Sequence, residues 1–353
     1  MKCAPKKRKS AREDITERVE KILNERGSKA LEAARNEILQ EKIECEEARE
    51  ALTYFMTQYW HDVFGPALLS LACEAVGGDP DITTPIAIPM TLISGAIDIH
   101  DDIIDQSKNK GLRPTVLGKF GKDIALLAGD ALLFKGFKLL YEAVEKGIPA
   151  EKVTAILDII KKTFFELGDA EALELRFRGR IDVTPEEYLY VVRKKAADVE
   201  AHTHISAIFG GGSKEEIEAL REYGRLLGMM MILRDDLLDM IDFDEAVHRF
   251  KKESLPLPIL YAQQNLEIKP VLTSILQKKL MRKKDAKAIL STTEKAGGID
   301  CFKKMMQELA SNACESINLL RCNQQYLKLL TKSVILPLDE WRNLAISTFE
   351  QVP

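Results

Sequence analysis

Two stretches, ISGAIDIHDDIID at residues 93–105 and GMMMILRDDLLDMI at residues 228–241, decide how this chain is read. Each carries three aspartates spaced D-D-x-x-D inside otherwise apolar sequence: Asp101, Asp102 and Asp105, then Asp235, Asp236 and Asp239. On a helix each residue turns by about 100°, so positions i and i+4 share a face. Asp101 therefore aligns with Asp105 and Asp235 with Asp239, each pair with a further carboxylate beside it. Carboxylates this close repel one another unless a cation lies between them. A pair of solvated acidic faces is the plainer reading, but solvated faces would not be flanked by apolar residues on both sides. Hard oxygen ligands suit Mg²⁺, which keeps several waters and commonly bridges to phosphates. Two such boxes facing each other would make a cage for a diphosphate and its metal ions.

Working outward, the chain of 353 residues has the composition of a soluble globular protein, 46% apolar and 30% charged. A net charge of −4 argues against a nucleic-acid binder. Six cysteines (Cys3, Cys45, Cys73, Cys301, Cys314 and Cys322) form no C-x-x-C pair and no zinc spacing, so they read as reduced thiols of a cytoplasmic protein. No apolar run is expected to cross a bilayer, and no signal peptide is visible. The start, MKCAPKKRKSAR, is basic. Residues 1–15 are read as a flexible tail, with weak attraction to an anionic membrane face as the alternative. Residues 16–353 are read as one large helical domain.

Helical spacing of apolar residues dominates, as in ALLFKGFKLLYEAV and AILDIIKKTFFELGDAEALEL, and strand signals are scarce. Thr184-Pro185-Glu186-Glu187 supplies an N-cap, a proline at the first helical position and the glutamate of a capping box. The helix it opens is expected to run to Phe209, where Gly210-Gly211-Gly212 stops it. About a dozen helices in one all-α domain are expected. The two acidic boxes are the one internal echo.

The combination resembles the trans-isoprenyl diphosphate synthases, over residues 50 to 265. The resemblance rests on the first box with RPTVLGKFG at 113–121, on AGDALL at 128–133 and on RKKA at 193–196. Gly228 ahead of the second box and KESLPLPILYA at 252–262 complete it. It implies an all-α fold around a central cavity, a homodimer, and Mg²⁺-assisted ionisation of an allylic polyprenyl diphosphate. Lys110, Lys195 and Lys252 stand at positions that hold the allylic diphosphate in that family. Chain length there is limited by the fifth and fourth residues before the first box, here Ala96 and Ile97. With no aromatic plug, a long tail is permitted. Met231 and Ile232, before the second box, would give it an apolar wall.

The departures fall on one side. The family motif that binds isopentenyl diphosphate reads WHDVFGP here, with Asp62 and Gly65 in place of its lysine and arginine. Its histidine is Ser94, and the second arginine of its arginine pair is Gly111. Each lost charge-assisted contact is worth roughly 1.5–3 kcal/mol. A carboxylate is gained at Asp98, one turn before Asp101. The leading expectation is transfer of a long prenyl group to a neutral, hydroxylated acceptor, deprotonated by Asp98, Asp62 or Glu171. The alternatives are chain elongation to geranylgeranyl or geranylfarnesyl length, a terpene cyclase or diphosphate-releasing enzyme, and a non-catalytic partner subunit. His202 shares a helical face with Lys195, Val199 and Thr203. Glu200 and His204 have i, i+4 metal spacing, set against a packing role.

Overall fold

The computed structural model describes residues 11–335, with side chains from Asp14 onward. The first helices are α1 (Ala11–Leu39), α2 (Glu46–Tyr54), α3 (Phe64–Ala75) and α4 (Thr84–Asp105). A two-residue hairpin, β1 (Asn109–Lys110) against β2 (Arg113–Pro114), leads to α5 (Val116–Phe120) and α6 (Lys122–Glu145). Next come α7 (Ala150–Leu175), α8 (Pro185–Lys195), α9 (Ala197–Phe209), α10 (Lys214–Asp239) and α11 (Phe243–Lys252). The chain continues through α12 (Leu257–Ala262), α13 (Lys269–Leu276), α14 (Lys283–Lys295), α15 (Gly298–Ser316) and α16 (Gln324–Ile335). The all-α expectation holds. Helix α1 begins inside the segment expected to be a tail. Residues 1–10 and 336–353 lie outside the described residues.

Local chemistry sets several boundaries. Thr184 Oγ1 accepts from the backbone of Glu187 at 3.2 Å, and the Glu187 carboxylate accepts from Thr184 N at 2.9 Å, so the expected capping box starts α8. Ser213 and Glu216 start α10 in the same way. The expected continuous helix to Phe209 is instead two helices, broken at Ala196. There α10 comes very close: a Cβ on Gly228 would lie 3.0 Å from the Ala196 and Val199 Cβ atoms. Gly228 thus serves helix contact.

Helices α4 and α10 form the centre, with α4 packed along α6 and α10 along α9 and α15. One apolar cluster joins Tyr188, Leu227 and Leu237 to the C-terminal helices, and another joins Phe55, Leu92 and Ile99 to α6. The stretch Pro80–Asp105 is long and apolar enough to span a bilayer, contrary to expectation, but 61% of its most apolar window is buried inside the fold. It is the core helix that carries the first box.

Candidate active site

The last turns of α4 and α10 bring the two boxes to one cavity of about 210 Å³. Asp101, Asp105, Asp235 and Asp236 line it. Lys195 of α8 and Arg249 of α11 supply its cations, and Val191, Val192 and Ile232 its apolar wall. A larger groove of about 650 Å³ lies between α15 and α16, but no carboxylates converge there.

Burial dominates the electrostatics of the boxes. It pushes Asp102, Asp105 and Asp236 up to about 7 and Asp239 to about 6, and it raises Asp101 despite the nearby Lys195 and Lys110 charges. Each box is held by side-chain cations. Arg249 Nη2 lies 2.6 Å from Asp236 Oδ1, and Arg249 Nη1 lies 3.3 Å from both Asp239 and Glu253. The Tyr188 hydroxyl donates to the other Asp236 oxygen. Arg178 Nη2 donates to Asp105 Oδ1 at 3.1 Å and to the Ile104 carbonyl at 2.7 Å. Asp235 is paired with Arg234 at 2.8 Å.

Lys195 sits between Glu171 at 2.9 Å and Glu174 at 2.7 Å. Burial alone would raise Glu174. The Lys195 charge, with hydrogen bonds from Lys195 and Ser254, outweighs it and holds that carboxyl at about 2. Glu171 stays raised, because burial there exceeds the pull of Lys195.

The other expected residues lie elsewhere. Lys110 does not line the cavity; its Nζ is 2.9 Å from Asp98 and 3.0 Å from Asp102. Asp102 therefore turns away from its box partners, and neither of its oxygens has a hydrogen bond of good alignment. Asp98 is ion-paired with Lys110 and Glu171 with Lys195 in this structure. Lys252, expected on the diphosphate, is exposed at the end of α11, and Arg249 one turn earlier faces the second box instead. Of the expected prenyl wall, Ile232 lines the cavity. Ala96 is fully buried beside Phe55, Leu92 and Ile99, and Ile97 and Met231 pack against core clusters. Glu200 is engaged by Arg225 and Arg221, so it pairs with arginines and not with a metal partnered by His204.

Asp62 Oδ1 accepts from Phe64 N at 2.8 Å, and burial raises its carboxyl. Trp60 stacks on Phe55 at 5.3 Å, with its Cη2 atom 3.4 Å from where a Gly95 Cβ would stand. Trp60, Gly65 and Pro66 of the WHDVFGP stretch are thus buried, whereas His61 is exposed and Asp62 half-buried.

The donor chemistry of the cage fits Mg²⁺. Five buried or part-buried carboxyls are held above their ordinary range, chiefly by burial, a cost that a bound cation would offset. Among the described residues no three His, Cys, Asp or Glu side chains close a metal shell by themselves. That suits an ion that takes its remaining ligands from water and phosphate. Arg249, Arg178, Tyr188 and Glu174 were not anticipated from sequence. The one available signal was the basic, strongly amphipathic turn HRFKK after the second box.

An all-helical fold with two acidic helix ends facing across a buried, cation-lined cavity defines a site for handling a diphosphate. The polyprenyl synthetase family model matches residues 63–293. The chain belongs to that family, and it is a prenyltransferase of the isoprenyl diphosphate synthase type. It is similar to a geranylgeranyl diphosphate synthase of Methanosarcina mazei, 32% identical over 287 residues, which cover 78% of this chain and 86% of the relative. A short chain isoprenyl diphosphate synthase of Methanothermobacter thermautotrophicus is 39% identical over 183 residues, 52% of this chain and 55% of that enzyme. The match thus spans about half of the second relative. The crystal structure of geranylgeranyl pyrophosphate synthetase from Pyrococcus horikoshii Ot3 superposes with a TM-score of 0.79 at 27% identity, covering 92% of this chain and 99% of the other.

Proposed function

We propose that the chain elongates an allylic prenyl diphosphate with isopentenyl diphosphate, to geranylgeranyl or geranylfarnesyl length. The relatives' names support this reading over the neutral acceptor expected from sequence: besides those above, a geranylfarnesyl diphosphate synthase of Natronomonas pharaonis is 28% identical over 77% of this chain. The observation that carries the donor half is the meeting of both acidic boxes at one cavity with Lys195 and Arg249. Asp101, Asp105, Asp235, Asp236 and Asp239 would hold Mg²⁺, which when bound neutralises the leaving diphosphate. Arg249, Arg178 and Lys195 are already poised at the cage, and each can exchange a carboxylate for a phosphate oxygen. Val191, Val192 and Ile232 would exclude water from the first carbons of the prenyl chain. A homodimer is supported by α6, which exposes Leu127, Phe134 and Tyr141 at seven-residue spacing.

A second reading, transfer to a neutral hydroxylated acceptor, is favoured by the acceptor side. Asp62 and Gly65 stand where the family has cations, and Lys110 is tied to Asp98 and Asp102. The test is incubation with Mg²⁺ and allylic diphosphates of C10 to C25, with and without isopentenyl diphosphate. Products one or more five-carbon units longer are expected. Diphosphate release without elongation, stimulated by an alcohol, would refute the first reading and support the second.

A further inference from the structure

A prenyl chain that grows must extend away from its diphosphate, so its tail needs an apolar space leading inward from the boxes. Three helices outline one. On α4, Met90, Ile93, Ile97 and Asp101 fall on one face. Asp101 lines the cavity, and Ile97, one turn deeper, is still partly exposed although α4 is the core helix. One turn deeper again the face closes, with Ile93 2% exposed and Met90 3%. On α7, Glu174 lines the cavity, and Glu171, Leu167 and Phe164 follow it on the same face, all partly exposed. The next residue on that face, Ile160, is buried. On α6, Asp130, Leu133 and Phe137 are partly exposed, and Leu140 is buried.

The three faces close at one level. Helix α6 runs antiparallel to α4: His100 Nε2 lies 3.3 Å from Asp130 Oδ1, and further along α6 a Cβ on Gly136 would meet Ile93 Cγ1 at 2.6 Å. Phe137 therefore sits at the depth of Ile93. Its ring faces that of Phe164 on α7, with centroids 6.4 Å apart and planes tilted by 43°. Ile93, Leu140 and Ile160 belong to one buried cluster, and Ile97, Leu133, Phe137 and Phe164 pack against it. The opening is thus an apolar crevice that starts at Asp101 and Glu174 and ends on two aromatic rings. Ile93 lies eight residues before Asp101, a depth of about 12 Å at the helical rise.

We infer that this crevice takes the tail of the growing chain, and that the Phe137–Phe164 pair is the stop that sets product length. The inference rests on the elongation reading above. The positions that limit length by resemblance do not do so here. Ala96 is on a different face of α4, packed with Phe55, Leu92 and Ile99, and Ile97 carries no ring. The two phenyl groups are backed by the buried Leu140 and Ile160. A close-packed interior leaves them no room to swing aside for a longer tail.

The test uses the full chain with Mg²⁺, geranyl diphosphate and excess isopentenyl diphosphate, with product lengths read by mass spectrometry. The readout is the ratio of products longer than the parent's main product to that product. Phe164→Leu and Phe137→Leu are each expected to raise it at least tenfold, the discrimination an apolar pocket exerts over a methylene group. Leu167→Phe places a ring one turn nearer the boxes and should shorten the main product by at least one five-carbon unit. Lengths that all three substitutions leave unchanged would overturn the stop and leave elongation standing. An unsubstituted protein that adds no five-carbon unit would overturn the elongation reading and the stop with it. A measurement on the unsubstituted protein guards against misfolded variants: a geranyl diphosphate analogue carrying a benzophenone at its tail should label the peptides that hold Phe137 or Phe164. Labelling confined to other helices would refute the path.

Discussion

Acidification should stabilise the metal-free protein, the reverse of the usual behaviour of paired carboxylates. Asp102, Asp105 and Asp236 are held at about 7, against 3.8 for the free side chain. Above pH 7 the folded state has had to give up protons that it binds more tightly than the unfolded chain does. Lowering the pH from 8 through 7 towards 4 restores them first to the folded state, so stability rises over that window. One such group costs about 4 kcal/mol above pH 7, at 1.36 kcal/mol per unit. About 2 kcal/mol of that returns by pH 5.5. The Glu174 charge acts on both Asp105 and Asp236, so the effects do not sum. A net gain of about 2–4 kcal/mol is expected, read as a Tm rise of roughly 2–8 °C. The assay is differential scanning fluorimetry in EDTA between pH 8 and 5.5, repeated with Mg²⁺ and inorganic pyrophosphate. Bound metal keeps the carboxylates ionised and should abolish the slope. Asp236→Asn should reduce it in EDTA. A Tm that is flat or falls on acidification without metal, and that metal leaves unchanged, would refute the reasoning.

Three further outcomes follow from the same contacts. Arg249→Met strands the buried Asp236 and part-buried Asp239; it should cost about 3–5 kcal/mol in urea unfolding at pH 8 and raise the KM for the allylic diphosphate at least tenfold. Asp101→Ala and Asp235→Ala should each abolish diphosphate release in a coupled phosphate assay, and full activity in both would sink the metal assignment. Thr184→Ala removes a cap bond at the start of α8; it should cost about 1 kcal/mol in thermal unfolding, with little change in KM.

Much of the fold was legible because it is written in local signals. The helical period, the Thr184 capping box and the repeat of D-D-x-x-D all act over a few residues. The donor cage was half legible for the same reason: its carboxylates announce themselves by spacing. Their counter-ions do not. Arg249 reaches Asp236 across 13 residues and Arg178 reaches Asp105 across 73, so only the tertiary fold pairs them. Lys252 was expected on the diphosphate by motif position, yet it ends α11 in solvent. Lys110 matched a diphosphate ligand by motif position, but the gained Asp98 captures its ammonium group. The break at Ala196 likewise depends on how closely α10 presses against α9 at Gly228.

Asp105 and Asp239 are the final residues of α4 and α10, so two helix carboxyl ends converge on the cavity. Each such end carries up to about half a negative charge, which in α4 is partly offset by Arg178 on the Ile104 carbonyl and His248 on the Asp105 carbonyl. Together they add a negative backbone potential to that of the side-chain carboxylates. A naked pyrophosphate would be turned away at this mouth, whereas the same anion already clothed in magnesium would be drawn in. The helix axes themselves thus favour a cation at this mouth, bound before or together with the anion it accompanies.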